Sequence, residues 1–135
     1  MRPTNLPIGR SGFEDIRKND YYYIDKTSLI EALLKTHGIQ VTLITRPRRF
    51  GKTLAMTMLE SFFNIRKESG KLFEGLKISY QHELCGQWMN QYPTVFVSFK
   101  SIDGLTYADA YAQLAAVISE LYKDHLYLLD SDKVE

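Results

Sequence analysis

Leu29, Ile30, Leu33 and Leu34 recur at steps of three and four residues, which predicts an amphipathic helix from residue 26 onward, with Gly38 a plausible stop. Asp25 stands where an N-cap belongs. A second helix is predicted over residues 52–64, with Leu54, Met58, Leu59, Phe62 and Phe63 on its buried face and both Met56 and Met58 in the core. A third, long helix is predicted to start after Thr106, which forms a capping box with Asp109; Leu114, Val117, Ile118 and Leu121 make its apolar stripe. The pattern changes at residues 39–45 and 94–99. Both are short apolar runs of β-branched and aromatic residues, and both predict strands; the second is apolar on both faces up to Val97, as an interior strand would be.

Shorter pieces fill the rest. Pro3, Pro7, Gly9 and Gly12 predict an irregular arm over residues 1–12, followed by one helical turn over 13–18 and a brief extended run over 21–24. Residues 66–80 predict a loop with a short helical piece, and 81–91 a short helix carrying Leu84 and Trp88. Two strands, each followed by a helix, imply parallel pairing through right-handed crossovers. The expected fold class is therefore α/β, a three-layer core with parallel strands, incomplete over this length. The chain has 135 residues, enough for a single domain over 1–135 or for part of a larger one.

Residues 45–53 carry the candidate chemistry. They read Thr-Arg-Pro-Arg-Arg-Phe-Gly-Lys-Thr, between the first predicted strand and the second predicted helix. Strand, loop ending Gly-Lys-Thr, helix is the layout of a phosphate-binding loop. Gly51 lets backbone approach a phosphate with no Cβ in the way. Loop N–H groups and the helix start offer partial positive charge to an anion. Lys52 would reach the outer phosphates, and the Thr53 hydroxyl would ligate a magnesium ion bridging them. One position departs from the usual spacing: Arg46 stands where the first glycine belongs. A plain basic turn, with Gly51 serving only the turn, accounts for the same residues.

Residues 46–53 also resemble the signature of the bacterial AAA-ATPase-like family, whose phosphate loop carries Arg-Pro-Arg-Arg-Phe-Gly-Lys in place of the glycine-first form. Other segments resemble it in order: Leu6-Pro7-Ile8-Gly9 with Phe13-Glu14-Asp15-Ile16-Arg17, then Tyr23-Ile24-Asp25-Lys26-Thr27, Leu72-Phe73-Glu74-Gly75-Leu76, and Tyr92-Pro93-Thr94-Val95-Phe96 with Phe99. The similarity runs from about residue 6 to about 132. It implies a P-loop NTPase-like domain, of which this chain is the N-terminal part, binding ATP or ADP with Mg. The nucleotide would be held by Arg46, Pro47, Arg48, Arg49, Phe50, Gly51, Lys52, Thr53 and Leu54, and the metal by Thr53. Family members are longer, continuing into an acidic metal-site strand and often a C-terminal nuclease-like domain. The stretch before the first core strand, residues 23–26, is the expected place for contact with the base.

Composition narrows the partners. Hydrophobic residues make up 44% and charged residues 24%, ordinary for a globular domain, and the net charge of +1 creates no global field toward nucleic acid or an acidic membrane. The positive charge is local, at Arg46, Arg48, Arg49 and Lys52. Cys85 is the sole cysteine and reads as a small filler near Leu84 and Trp88. No stretch approaches a membrane span, so a cytoplasmic protein is expected. His37, His82 and His125 have no metal-ligand spacing. A hydrolase of this type also needs an acid at the end of a second strand. Residues 94–99 lead into Lys100, and Asp103 and Asp130 are weak substitutes, so poor hydrolysis by this chain alone is expected. Two other readings stay open: a module binding nucleic-acid phosphates through its arginines, and a structural or interaction module with a relic loop. Whether the chain forms a homo-oligomer is also open.

Overall fold

A computed structural model describes residues 5–36, 38, 40–47 and 51–132. Six α-helices follow one another: α1 (Phe13–Lys18), α2 (Ser28–Lys35), α3 (Lys52–Phe63), α4 (Gly70–Phe73), α5 (His82–Trp88) and α6 (Tyr107–Asp124). Two 3₁₀ turns, Lys77–Tyr80 and Leu126–Asp130, complete the described elements. The chain divides into two compact units, Met1–Thr94 and Val95–Glu135.

The α/β expectation is corrected by the absence of any strand among the described residues. Their only β-type pairing is one isolated parallel bridge, Asn64 to Tyr92. Residues 41–45 and 94–99 have no regular structure, and Val41 and Leu43 are 83% and 84% exposed. The physical reason is that a strand is a property of a pair. Apolar, β-branched composition suits a pleated surface, but the backbone becomes a strand only when a neighbour completes its hydrogen-bond ladder.

The first unit is organised by an aromatic and aliphatic core of Phe13, Ile30, Met58, Phe62, Phe73 and Ile78, all essentially inaccessible to solvent. Phe73 packs on Phe13 at 4.8 Å between ring centroids and meets Phe62 edge-on at 5.4 Å. Each helix contributes the face that its periodicity predicts. In α3 the expected residues do turn inward, but toward other helices rather than a sheet: Met58 and Phe62 are buried, with Leu54, Leu59 and Phe63 packed around them. Met56 is the exception, 42% exposed on the outer face.

Polar stitches fix the helices to one another. The Thr57 hydroxyl accepts from Phe13 N–H at 3.1 Å, so α3 caps the first turn of α1. Arg17 Nε donates to the Leu72 carbonyl at 2.7 Å and its terminal nitrogen to the Glu74 carbonyl at 2.8 Å, tying α1 to the end of α4. Lys67 lies 2.6 Å from Glu60 and 3.4 Å from Glu14; burial opposes its charge, but these two carboxylates raise its pKa above the ordinary value. Cys85 donates to the Ile78 carbonyl at 3.1 Å and burial pushes its thiol up, as befits a filler in the core.

The second unit holds α6. Thr106 caps it as expected: its hydroxyl accepts from Asp109 N–H at 3.2 Å and donates to the Asp109 carboxylate at 2.8 Å. The predicted buried stripe is not achieved; no α6 residue is buried, and Ile118 is 43% exposed. Residues 96–98 and the Val117–Leu121 face of α6 line a shallow groove of about 280 Å³. A Cβ at Gly104 would fall 2.4 Å from the Ala110 backbone nitrogen, so this glycine permits close approach to the first turn of α6.

Asn90 is a structural residue that the hydrophobic pattern does not reveal. It sits at φ +55°, accepts Ser69 N–H at 3.0 Å, and its amide donates to the carbonyls of Ser61 (3.1 Å) and Asn64 (2.9 Å) at the end of α3. Asn90→Asp replaces that donor with a charge facing two carbonyls and should cost about 1–3 kcal/mol. Asn90→Gly, which keeps the backbone free to adopt positive φ, should cost less. Urea unfolding midpoints should therefore fall in the order wild type, glycine, aspartate; an aspartate variant as stable as wild type would contradict this role.

Candidate functional site

Gly51 ends the predicted loop at φ +77°, the left-handed region, and serves as the N-cap of α3. Ala55 N–H closes the first helical bond on the Gly51 carbonyl at 2.9 Å. Gly51 has no side chain to cap this end, and no acid lies in the first turn. Helix geometry therefore leaves the N–H groups of Lys52, Thr53 and Leu54 without intrahelical partners, at the positive end of the dipole.

A cleft of about 430 Å³ opens here. Its polar lining is Asp25, Lys26, Ser28, Arg46, Gly51 and Lys52; its apolar lining is Leu29, Ala32, Ile44 and Ala55. Lys26, Arg46 and Lys52 thus share the lining with one carboxylate, Asp25. That carboxylate is already engaged. Its Oδ1 accepts from Thr27 N–H at 2.9 Å and from the Thr27 hydroxyl at 2.6 Å, and its Oδ2 from Lys77 N–H at 2.7 Å. Thr27, fully buried, accepts in turn from Ile78 N–H at 3.2 Å. Burial pushes the Asp25 carboxyl up, but the Thr27 and Lys77 hydrogen bonds outweigh it and hold the group below the usual carboxylate range. The N-cap position of α2 falls on Thr27 rather than Asp25, whose carboxylate instead clasps the helix start to the 3₁₀ turn.

Of the loop residues expected to bind phosphate, Arg46, Gly51 and Lys52 line the cleft. Pro47 is exposed beside it in sequence, Thr53 is exposed on the first turn of α3, and the Leu54 side chain packs against the core. Arg48, Arg49 and Phe50 lie outside the described residues, as do Ile39 and His37. Of residues 23–26, Asp25 and Lys26 reach the cleft. Tyr23 does not: it packs edge-on against Phe13 at 5.3 Å, and its hydroxyl meets Met58 Sδ at 3.2 Å. Lys26 was expected near the base rather than beside Gly51, and Ser28, Leu29 and Ala32 were not legible as loop partners. Asp103 and Asp130 both belong to the second unit, Asp130 at the end of a 3₁₀ turn. Among the described residues no group of three metal-ligating side chains gathers, and no helix is long and apolar enough to cross a membrane.

Lys26, Arg46 and Lys52 thus share a cleft with the start of α3, where backbone N–H groups carry partial positive charge. The chain belongs to the AAA-ATPase-like family described as "Predicted AAA-ATPase", which matches residues 7–133. One curated relative is an "Uncharacterized protein in vnfD 5'region" of Azotobacter chroococcum mcd 1, 35% identical over 102 residues. That stretch covers 73% of this chain and 18% of the relative. No solved structure matches the chain.

The clasp makes a pH prediction. A depressed carboxyl pKa contributes stability that is present above the ordinary value, about 3.9, and lost as pH falls through the depressed folded value. Asp25→Asn should lose about 1–3 kcal/mol near neutral pH. It should also destabilise less than wild type on acidification below about pH 4. Glu14, held low chiefly by its hydrogen bond to Lys18, titrates in both proteins and cancels in the comparison. Parallel acid-unfolding curves for the two proteins would contradict the clasp.

Proposed function

We propose that this chain binds ATP or ADP with magnesium in the cleft at the start of α3. The observation that carries this reading is the convergence of Arg46, Gly51 and Lys52 on one cleft, beside the uncapped first turn of α3. Backbone N–H groups would receive a phosphate, Lys52 would supply the main point charge, and the apolar lining suits a nucleoside. Magnesium would arrive on the phosphates, with the exposed Thr53 hydroxyl as its protein ligand. The donor set fits that limited role: a phosphate-borne Mg needs few protein ligands, and no carboxylate cage exists among the described residues.

The reading is one of binding rather than turnover. Hydrolysis requires a positioned water and an acid anchoring the metal. Asp25, the one acid in the cleft lining, is committed to Thr27 and Lys77. Phosphate release near background is the companion expectation. The nucleic-acid alternative draws on the same arginines, but the net charge of +1 gives it no wider basic surface.

Binding to the native state alone stabilises by about 2.7 kcal/mol at a ligand concentration near 100 times Kd. Millimolar Mg-ADP should therefore raise the melting temperature by several degrees. Lys52→Ala should weaken binding roughly ten- to a hundredfold, the worth of one charge-assisted hydrogen bond, with the ligand-free melt unchanged. Calorimetry checks both. Absence of heat and of any thermal shift would contradict the reading, and a larger loss from Arg46→Ala than from Lys52→Ala would contradict the role given to Lys52.

A further inference from the structure

We propose that Lys26 is a second phosphate-binding cation, converging with Lys52 on a ligand that carries at least two linked phosphates. The inference rests on the nucleotide reading and extends it to a residue outside the loop. Lys26 Nζ lies 3.7 Å from the point where a Cβ on Gly51 would stand. The ammonium therefore rests over the glycine at the mouth of α3, in the cleft that Arg46 and Lys52 also line.

Three features argue that this placement serves a ligand. The first is charge balance. Among the described residues no ion pair involves Lys26, Arg46 or Lys52, and, unlike the likewise unpaired Lys71, Lys77, Lys100 and Lys123, these three line one cleft. Bringing these cations to one cleft is unfavourable until an anion enters. The neighbouring Asp25 does not neutralise them by contact, because its oxygens are turned to Thr27 and Lys77.

The second is preorganisation. Both chain neighbours of Lys26 are pinned, Asp25 by the hydrogen bonds it accepts and Thr27 by full burial and its bond to Ile78 N–H. The backbone beneath Lys26 is thus fixed, and only the side chain loses freedom on binding. The third is chemical type. An ammonium is a compact point charge with donors and no acceptor, which complements a phosphate oxygen and offers little to a neutral base. Its position against Gly51, at the helix start, puts it where a phosphate rather than a nucleoside would lie. Two lysines approaching from different chain segments match successive phosphates, so the site should prefer di- and triphosphates to monophosphates.

Isothermal titration of the whole chain with Mg-ADP, AMP, adenosine and pyrophosphate tests this, using wild type, Lys26→Ala, Lys26→Gln and Lys26→Arg. The expected result is a roughly ten- to a hundredfold loss of Mg-ADP and pyrophosphate affinity in the alanine and glutamine variants. Arginine should recover most of it, and all ligand-free melting temperatures should match. Glutamine retains a polar stem should the alanine variant fold poorly. Undiminished Mg-ADP binding by Lys26→Ala and Lys26→Gln overturns the inference while leaving the nucleotide reading intact. An equal loss for adenosine overturns it in favour of base contact, and a loss that arginine does not rescue, with a lowered melt, overturns it in favour of a structural role. Lys26-dependent binding of pyrophosphate without any nucleotide binding supports the inference and removes the nucleotide reading. Wild type that binds none of these ligands overturns both.

Discussion

The Asp25 carboxylate accepts hydrogen bonds from Thr27 N–H, the Thr27 hydroxyl and Lys77 N–H, and this clasp joins the start of α2 to the 3₁₀ turn at Lys77–Tyr80. Much of the first unit depends on it. It holds Thr27 in the interior, where the hydroxyl also receives Ile78 N–H, and Ile78 in turn belongs to the core. It also keeps the one carboxylate of the cleft lining ionised, with its oxygens turned to Thr27 and Lys77. A single acid thus has two effects, one on stability and one on electrostatics, and the second follows from the first.

The other support of the cleft is α3 itself. Met58 and Phe62 bury its inner face against Phe13, Ile30 and Phe73, and Thr57 caps α1 from the same helix. At its C-terminal end, Asn90 takes up carbonyls of Ser61 and Asn64. At the N-terminal end the N-cap is Gly51, which has no side chain to offer. The C-terminal end is thus satisfied by Asn90, while the N-terminal end lines the cleft with the positive end of its dipole.

Helix positions were legible from local pattern. Residues 13–18, the helix around Leu29 to Leu34, the inner face of α3 and the Thr106 cap are all found where the pattern puts them. Three expectations failed, each for a reason that lies outside the local sequence. The described parts of the apolar runs, 40–45 and 94–99, did not become strands, because a ladder needs a neighbour that composition does not supply. The α6 stripe stayed half-exposed, because periodicity shows which face is apolar and not whether anything covers it. Met56 turned outward while Met58 turned in, since two residues two apart cannot share one helix face. At the site, Gly51 and Lys52 were legible from spacing and Arg46 from the family resemblance. Lys26 was expected at the base, and its approach to Gly51 was not legible, because tertiary packing makes it across a separation that no motif spans.

The central claim is that the cleft formed by α2, Arg46 and the first turn of α3 receives the phosphates of a nucleotide. Amide chemical-shift mapping during a Mg-ADP titration of the ¹⁵N-labelled chain tests it most directly. The account predicts saturable shifts concentrated at Lys26, Ser28, Arg46, Gly51, Lys52 and Thr53, with little change across α5 or α6. Saturable shifts centred on α6, or none anywhere at millimolar Mg-ADP, would contradict it.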